Sequence, residues 1–330
     1  MCNYVFVLFV VGSCLTHGSL ASNLNEAQTG DNSDDPAQDE RSLVLPESPR
    51  YLQRRATTVL YDDFSSEPEN SYVKNGVLYI RPTLTVDHFG DDFLRTGDLD
   101  AAGAPCHLHG KDIHPVMSAM LRSYASIRYG KVEIVAKLAK GDWLWNALWM
   151  MPKAPAAYGG WPRSGEFDLL EAAGNRHYIH GGNGKSAGID AAHSTIHYGA
   201  STEHELRPGN TTWLHGTTFG DGFHKYWLDW TESHAIIGID DHPVVTLTTP
   251  HTSFWQDGHF PGDNFFLIMN VAVGGDMFWD GWINSPYPKP WTHGAAEQMH
   301  QFWAARHLWY PTWHGEDAAL QIRSVKMQQY

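Results

Sequence analysis

An all-β chain, with two antiparallel sheets packed face to face, is the fold class the sequence predicts, and three observations predict it. The stretch "KVEIVAKLAK" (131–140) alternates: Val132, Ile134, Ala136 and Leu138 share one face, with Lys131, Glu133 and Lys137 opposite. Similar short runs recur from Thr57 onward, punctuated by Gly, Pro, Asn and Asp. Long amphipathic helical windows are missing, and the best is a short one near 295–307. Many strands at near-regular spacing fit one large sandwich, and a 330-residue chain that is 42% hydrophobic can fill its core.

Residues 4–15, "YVFVLFVVGSCL", form an apolar run too short to span a bilayer. It reads as the core of a secretory signal over residues 1–21, with Ser19-Leu20-Ala21 as the small-x-small cleavage site, so a secreted protein is expected. The stretch before it lacks Lys and Arg, and "VGSC" at 11–14 also resembles a bacterial lipobox. No later segment is long and apolar enough to cross a membrane. Residues 22–56 begin polar, acidic and poor in aromatics, which predicts a disordered linker or a propeptide ending near Arg54-Arg55. The packed domain is expected over 57–330. Cys2 and Cys14 leave with the signal, so Cys106 is alone and no intrachain disulfide is expected. "CHLHGKDIH" (106–114) gathers Cys106, His107, His109 and His114, but the spacing matches no structural zinc pattern and reads as an exposed loop. No metal or cofactor is expected.

"DWLWNALWMMP" (142–152) places Trp143, Trp145 and Trp149 on one strand face and Leu144, Leu148 and Met150 on the other. In "WPRSGEFDLLEAAGN" (161–175), Glu166 and Asp168 point the same way, while Glu171, five residues from Glu166, should point the other way. A carboxylate turned into the core is costly. A β-bulge at Leu169–Leu170 restores the facing and sets all three acids on one surface. "GGNGKSAG" (181–188) contains G-x-S-x-G and overlaps the dinucleotide glycine pattern, yet lacks the strand and helix that either motif requires. His193 and His197 in "HSTIHYG" lie four apart, on one strand face. Asn210-Thr211-Thr212 is a glycan acceptor sequence. "FHKYWLDW" (223–230), "AIIGID" (235–240), "VVTLTT" (244–249) and "FFLIMNVAV" (265–273) continue the strands, and "LQIRSVKMQQ" ends them. Asn270 interrupts an apolar run and must find a hydrogen bond, to the backbone or to a ligand in a cleft.

A formal net charge of −14 argues against nucleic acid or an anionic membrane surface as the main partner. Fourteen tryptophans suit a surface that stacks on sugar rings, with about half of them filling the core. Retaining glycoside hydrolysis needs two carboxyls about 5–5.5 Å apart astride one bond. Five steps along a flat strand span about 16 Å, so a bulged, concave strand must shorten the path.

Taken in order, "MLRSYASIRYGKVEIVAKLAKGDWLWNALWMMP", "WPRSGEFDLLEAAGN", "STIHYG", "FFLIMNVAVGGD" and "FWAARHLWYPTW" resemble glycoside hydrolase family 16. The likeness is to its bulged branch, especially invertebrate endo-β-1,3-glucanases (laminarinases). It implies a β-jelly-roll sandwich whose concave sheet holds a long open cleft. It further implies Glu166 as nucleophile, Glu171 as acid/base and Asp168 as the helper that orients the nucleophile, with net retention of configuration. Trp145, Trp149 and Trp161 resemble the sugar-stacking tryptophans, and Asn175, His197 and Asn270 the polar cleft lining. Arg128 in "IRYGK" matches a position near the cleft. The implied partner is β-1,3-glucan, bound by a monomer, with no structural calcium indicated. Relatives often pair cysteines where Cys106 stands alone, and no glucan-binding module is expected ahead of the catalytic region. Two other functions share the pattern: a β-1,3-glucan recognition protein that does not cut, and a hydrolase or transglycosylase acting on a related polysaccharide. The charge of −14 does not suggest the basic loops that sulfated substrates favour.

Overall fold

The structure, a computed structural model, describes residues 70–96, 113–153, 159–248 and 264–330. The signal, the acidic segment 22–56 and Cys106, His107 and His109 lie outside the described residues.

Two antiparallel sheets carry the fold. One runs, in spatial order, β1 (Ser71–Lys74), β2 (Val77–Ile80), β18 (Leu320–Gln329), β6 (Gly130–Lys137), β13 (His224–Trp230), β14 (His234–Ile239) and β15 (His242–Thr248). The other runs β11 (Glu205–Leu206), β10 (Ala191–Gly199), β8 (Glu166–Ala173), β7 (Leu144–Pro152), β16 (Phe265–Val273) and β5 (Met120–Ile127). Strand β12 (Gly209–Trp213) also pairs with β10, and two short ladders join β3 (Thr83–Leu84) to β4 (Val116–Met117) and β9 (Tyr178–Ile179) to β17 (Ile283–Asn284). The β5–β6 connection passes from one sheet to the other, and the chain returns at β7, giving the jelly-roll connectivity. Among the described residues helix is limited to short pieces: α1 (Thr85–Phe89), α2 (Phe93–Thr96), α3 (Gln298–Ala304) and α4 (Arg306–Trp309). Helix α3 falls in the window near 295–307 that sequence periodicity marked, and α4 begins at its end.

Strand β6 shows why the sheets stack. Val132, Ile134 and Ala136 are fully buried between the layers. On the solvent face, Lys131 and Lys326 meet Glu133 at 3.3 Å and 3.7 Å. Phe167 and Phe265 from the second sheet lock onto Trp230 from the first, with ring centroids 5.2–5.3 Å apart. Aromatics of that size supply much of the burial that holds two sheets together.

The face predicted for three tryptophans holds for two. Trp145 and Trp149 are half-buried on the outward face of the second sheet, whereas Trp143 precedes β7 and turns into the core. Its φ of 69° is uncommon for a bulky residue. The backbone is held there at both ends: the Trp143 N–H donates to Asn175 Oδ1, and its carbonyl accepts the Gly274 N–H. The indole packs edge-on against Phe278 and Trp291.

Candidate active site

The predicted bulge lies in β8. On β7, Leu148 pairs with Leu170 and the next residue, Trp149, pairs with Asp168, so Leu169 is the extra residue. Leu169 and Leu170 are both fully buried, two consecutive side chains pointing inward. Alternation resumes with Glu171 facing outward beside Asp168 and Glu166. On the other flank Glu171 pairs with His193 and Glu166 with His197. Five steps along β8 are thus matched by four along β10, and the ladder distance between the glutamates falls to about 13–14 Å.

Neighbouring strands furnish each acid with a partner. Trp145 Nε1 donates to Glu171 Oε1 at 3.1 Å. The Glu166 and Asp168 side chains share a hydrogen bond, which requires a proton on one of them. His197 Nε2 lies 2.9 Å from Asp168 Oδ2, a close ionic approach without hydrogen-bond alignment. The other ring nitrogen, Nδ1, meets Glu205 Oε1 at 2.5 Å. Burial pushes the carboxyls of Glu166 and Asp168 well above the usual carboxylate range and raises that of Glu171. Mutual repulsion adds to the rise for Glu166 and Asp168, while His197 opposes it for Glu166 and Glu171. A cluster that resists full ionisation keeps a proton available near neutral pH.

Of the other residues singled out in the sequence, most meet on this face. Trp149 Nε1 donates to Asn270 Oδ1 at 2.8 Å, so the polar break in β16 is satisfied by an indole on the next strand. Trp161 lies 5.7 Å from the His197 ring, and its indole nitrogen is buried without a hydrogen-bond partner. His193 Nδ1 contacts the Thr211 hydroxyl at 2.8 Å, and burial lowers its pKa.

Two residues fall elsewhere. Asn175 is fully buried, receives the Trp143 N–H and donates to Asn284 Oδ1 at 3.0 Å; it braces the loops rather than lining the cleft. Arg128 is exposed in the turn between β5 and β6, its guanidinium over Tyr129, beyond the end of the ladder that pairs β5 with β16. The cation on the site face is Arg122. It pairs with Ile268, which pairs with Trp149, so it shares a cross-strand row with Asp168 three strands away, about 14 Å. It stacks 3.6 Å over the Phe266 ring. Alternation along "MLRSYASI" carries this signal, since Arg122 and Tyr124 both point away from buried Leu121 and Ser123. Glu205 carries no comparable local signal: only the pairing of β11 with β10 brings it to His197.

The second sheet of this jelly roll thus bears, on its outward face, a row of carboxyls edged by indoles. The chain belongs to the glycosyl hydrolases family 16, whose sequence profile matches residues 83–296. It is 36% identical over 302 residues to a beta-1,3-glucan-binding protein of Penaeus monodon, spanning 78% of this chain and 79% of that one. It is 34% identical over 193 residues to a glucan endo-1,3-beta-glucosidase of Cryptopygus antarcticus, covering 53% of this chain and 66% of that protein. In fold it is similar to the crystal structure of LamAcat from Zobellia galactanivorans, with a TM-score of 0.50 and 22% identity over 80% of this chain and 81% of that one.

Proposed function

We propose that this chain is a retaining endo-β-1,3-glucanase acting on laminarin-type β-glucans. The observation that carries the reading is the bulge at Leu169, which sets Glu166, Asp168 and Glu171 on one face while keeping the leucines in the core. Ionised Glu166 attacks the anomeric carbon while protonated Glu171 donates its proton to the leaving glycosidic oxygen. Asp168 holds the shared proton as Glu166 sheds its hydrogen bond to form the glycosyl ester. Water then attacks the anomeric carbon, Glu171 takes its proton, and Glu166 leaves as carboxylate with configuration retained. Trp145, through its bond to Glu171, fixes the direction in which that proton is presented. Trp145, Trp149 and Trp161 give apolar faces on which glucose rings stack, and Arg122 marks the far wall.

Kinetics on laminarin test this. Wild-type protein should release reducing ends, and Glu166→Gln should release none. Glu171→Ala should lower kcat by about 10²–10⁴-fold, with turnover of an activated aryl β-glucoside regained in azide. The first product seen by nuclear magnetic resonance should be the β-anomer; an α-anomer would eliminate the double displacement. A second reading, a glucan-binding protein that does not cut, is favoured by the name of the Penaeus monodon relative. Laminarin binding by the wild type with no reducing ends released would replace the first reading with the second.

A further inference from the structure

We propose that Glu205 is a positioning residue that sets the tautomer of His197 and thereby whether Nε2 can act as a proton acceptor toward Asp168. The inference rests on the proposed hydrolase site and deepens it. Glu205 stands outside the acid row, on β11, a two-residue strand added to the edge of β10. Its carboxylate faces inward with 15% of its side chain exposed, and it meets His197 Nδ1 at 2.5 Å. The opposite ring nitrogen meets Asp168 Oδ2 at 2.9 Å, where only 4% of the Asp168 side chain is exposed. The remaining ionisable groups around the ring come from β8: Glu166, its pairing partner, and Glu171. The Trp161 indole covers the ring from the segment before β8.

An ionised carboxylate accepts hydrogen bonds only, so Glu205 requires a proton on Nδ1. Nε2 then has two states. It carries its own proton, making the ring a cation beside ionised Asp168, or it is bare and faces a protonated Asp168. In both, Nε2 and Asp168 hold one proton between them as a pair, and the group that carries it decides whether Asp168 is free to accept one from Glu166. Without Glu205 the neutral ring is free to place its lone proton on Nε2, where it faces Asp168 as a donor and no longer as an acceptor. Local backbone enforces the arrangement. Gly199, opposite Glu205, has a φ of 143°, and a Cβ there would lie 2.3 Å from the His204 carbonyl oxygen, so only glycine lets β11 close onto β10.

The test is Glu205→Gln, which keeps the shape and removes the charge. The His197 imidazole is followed by nitrogen-15 nuclear magnetic resonance in the free protein, its signals identified by their loss in His197→Asn. Removing the acceptor charge that faces Nδ1 releases the neutral ring to move its proton to Nε2. The fraction protonated at Nδ1 in the neutral ring should therefore fall. On laminarin, kcat should drop at least about tenfold with KM within about twofold, and Glu205→Asp should recover part of the loss. An unchanged His197 tautomer in Glu205→Gln overturns the inference even if the enzyme slows. The resonance measurement needs no substrate. A wild type that fails to cut laminarin therefore sinks the proposed function and leaves this inference to be decided by the His197 signals.

Discussion

Burial holds the Glu171 carboxyl above its ordinary range, so the folded chain binds that proton more tightly than the unfolded chain. The stabilisation from that proton is complete below the unfolded value and is lost as pH rises through the folded one. At neutral pH Glu171 therefore opposes folding, and its charge also raises the Asp168 and Glu166 carboxyls. Glu171→Gln, which still accepts the Trp145 indole bond, should raise Tm at pH 7 by about 2–4 °C and change it little at pH 4. Calorimetry at the two pH values checks this, and an equal shift at both would remove the acid from the explanation. Asn175 shows the limit of reading single residues. Its position after the acid motif suggests a cleft, yet its side chain is spent on the Trp143 N–H and Asn284. A polar residue announces that it needs partners, and only the surrounding chain supplies their identity.

At the scale of an element, β8 is regular except for Leu169. The pairs Leu148 with Leu170 and Trp149 with Asp168 would both survive removal of that residue, and so would Glu171 with His193 and Asp168 with Thr195. The shortened segment alternates out, in, out, in, out from Glu166 to Glu171, so the acids keep their face. Deleting Leu169 should therefore leave measurable laminarin hydrolysis, while loss of a buried leucine costs about 2–5 kcal/mol of stability. Inserting Ala between Leu170 and Glu171 instead turns the acid toward the core and should abolish both hydrolysis and cooperative urea unfolding. If the deletion were inactive and the insertion active, the facing argument would fail. The bulge was legible because a carboxylate among leucines has few places to go. The contrast with β16 is instructive: all nine of its residues are buried, so its two faces look alike in sequence, and Asn270 alone marks the outward one.

Across the whole molecule, the acid row depends on the other sheet for its footing. Phe167 lies between Glu166 and Asp168 and packs on Trp230, so the second layer fixes the β8 strand from beneath. Trp230→Ala should lower stability by about 3–5 kcal/mol, measured by urea unfolding. A loss under about 1 kcal/mol would mean that the sheets are held elsewhere. The sequence by itself determined the strand runs 265–273 and 320–329, the inner face of β6 and the bulge that aims Glu171 outward. All of these follow from local periodicity and from the cost of burying charge. Tertiary structure alone decided that Trp143 and Asn175 belong to the core, that Arg122 and not Arg128 stands on the site face, and that Glu205 reaches His197. Periodicity tells which way a side chain points. What it meets there is set by pairings between strands far apart in the chain, where backbone hydrogen bonds form whatever side chains they bring together.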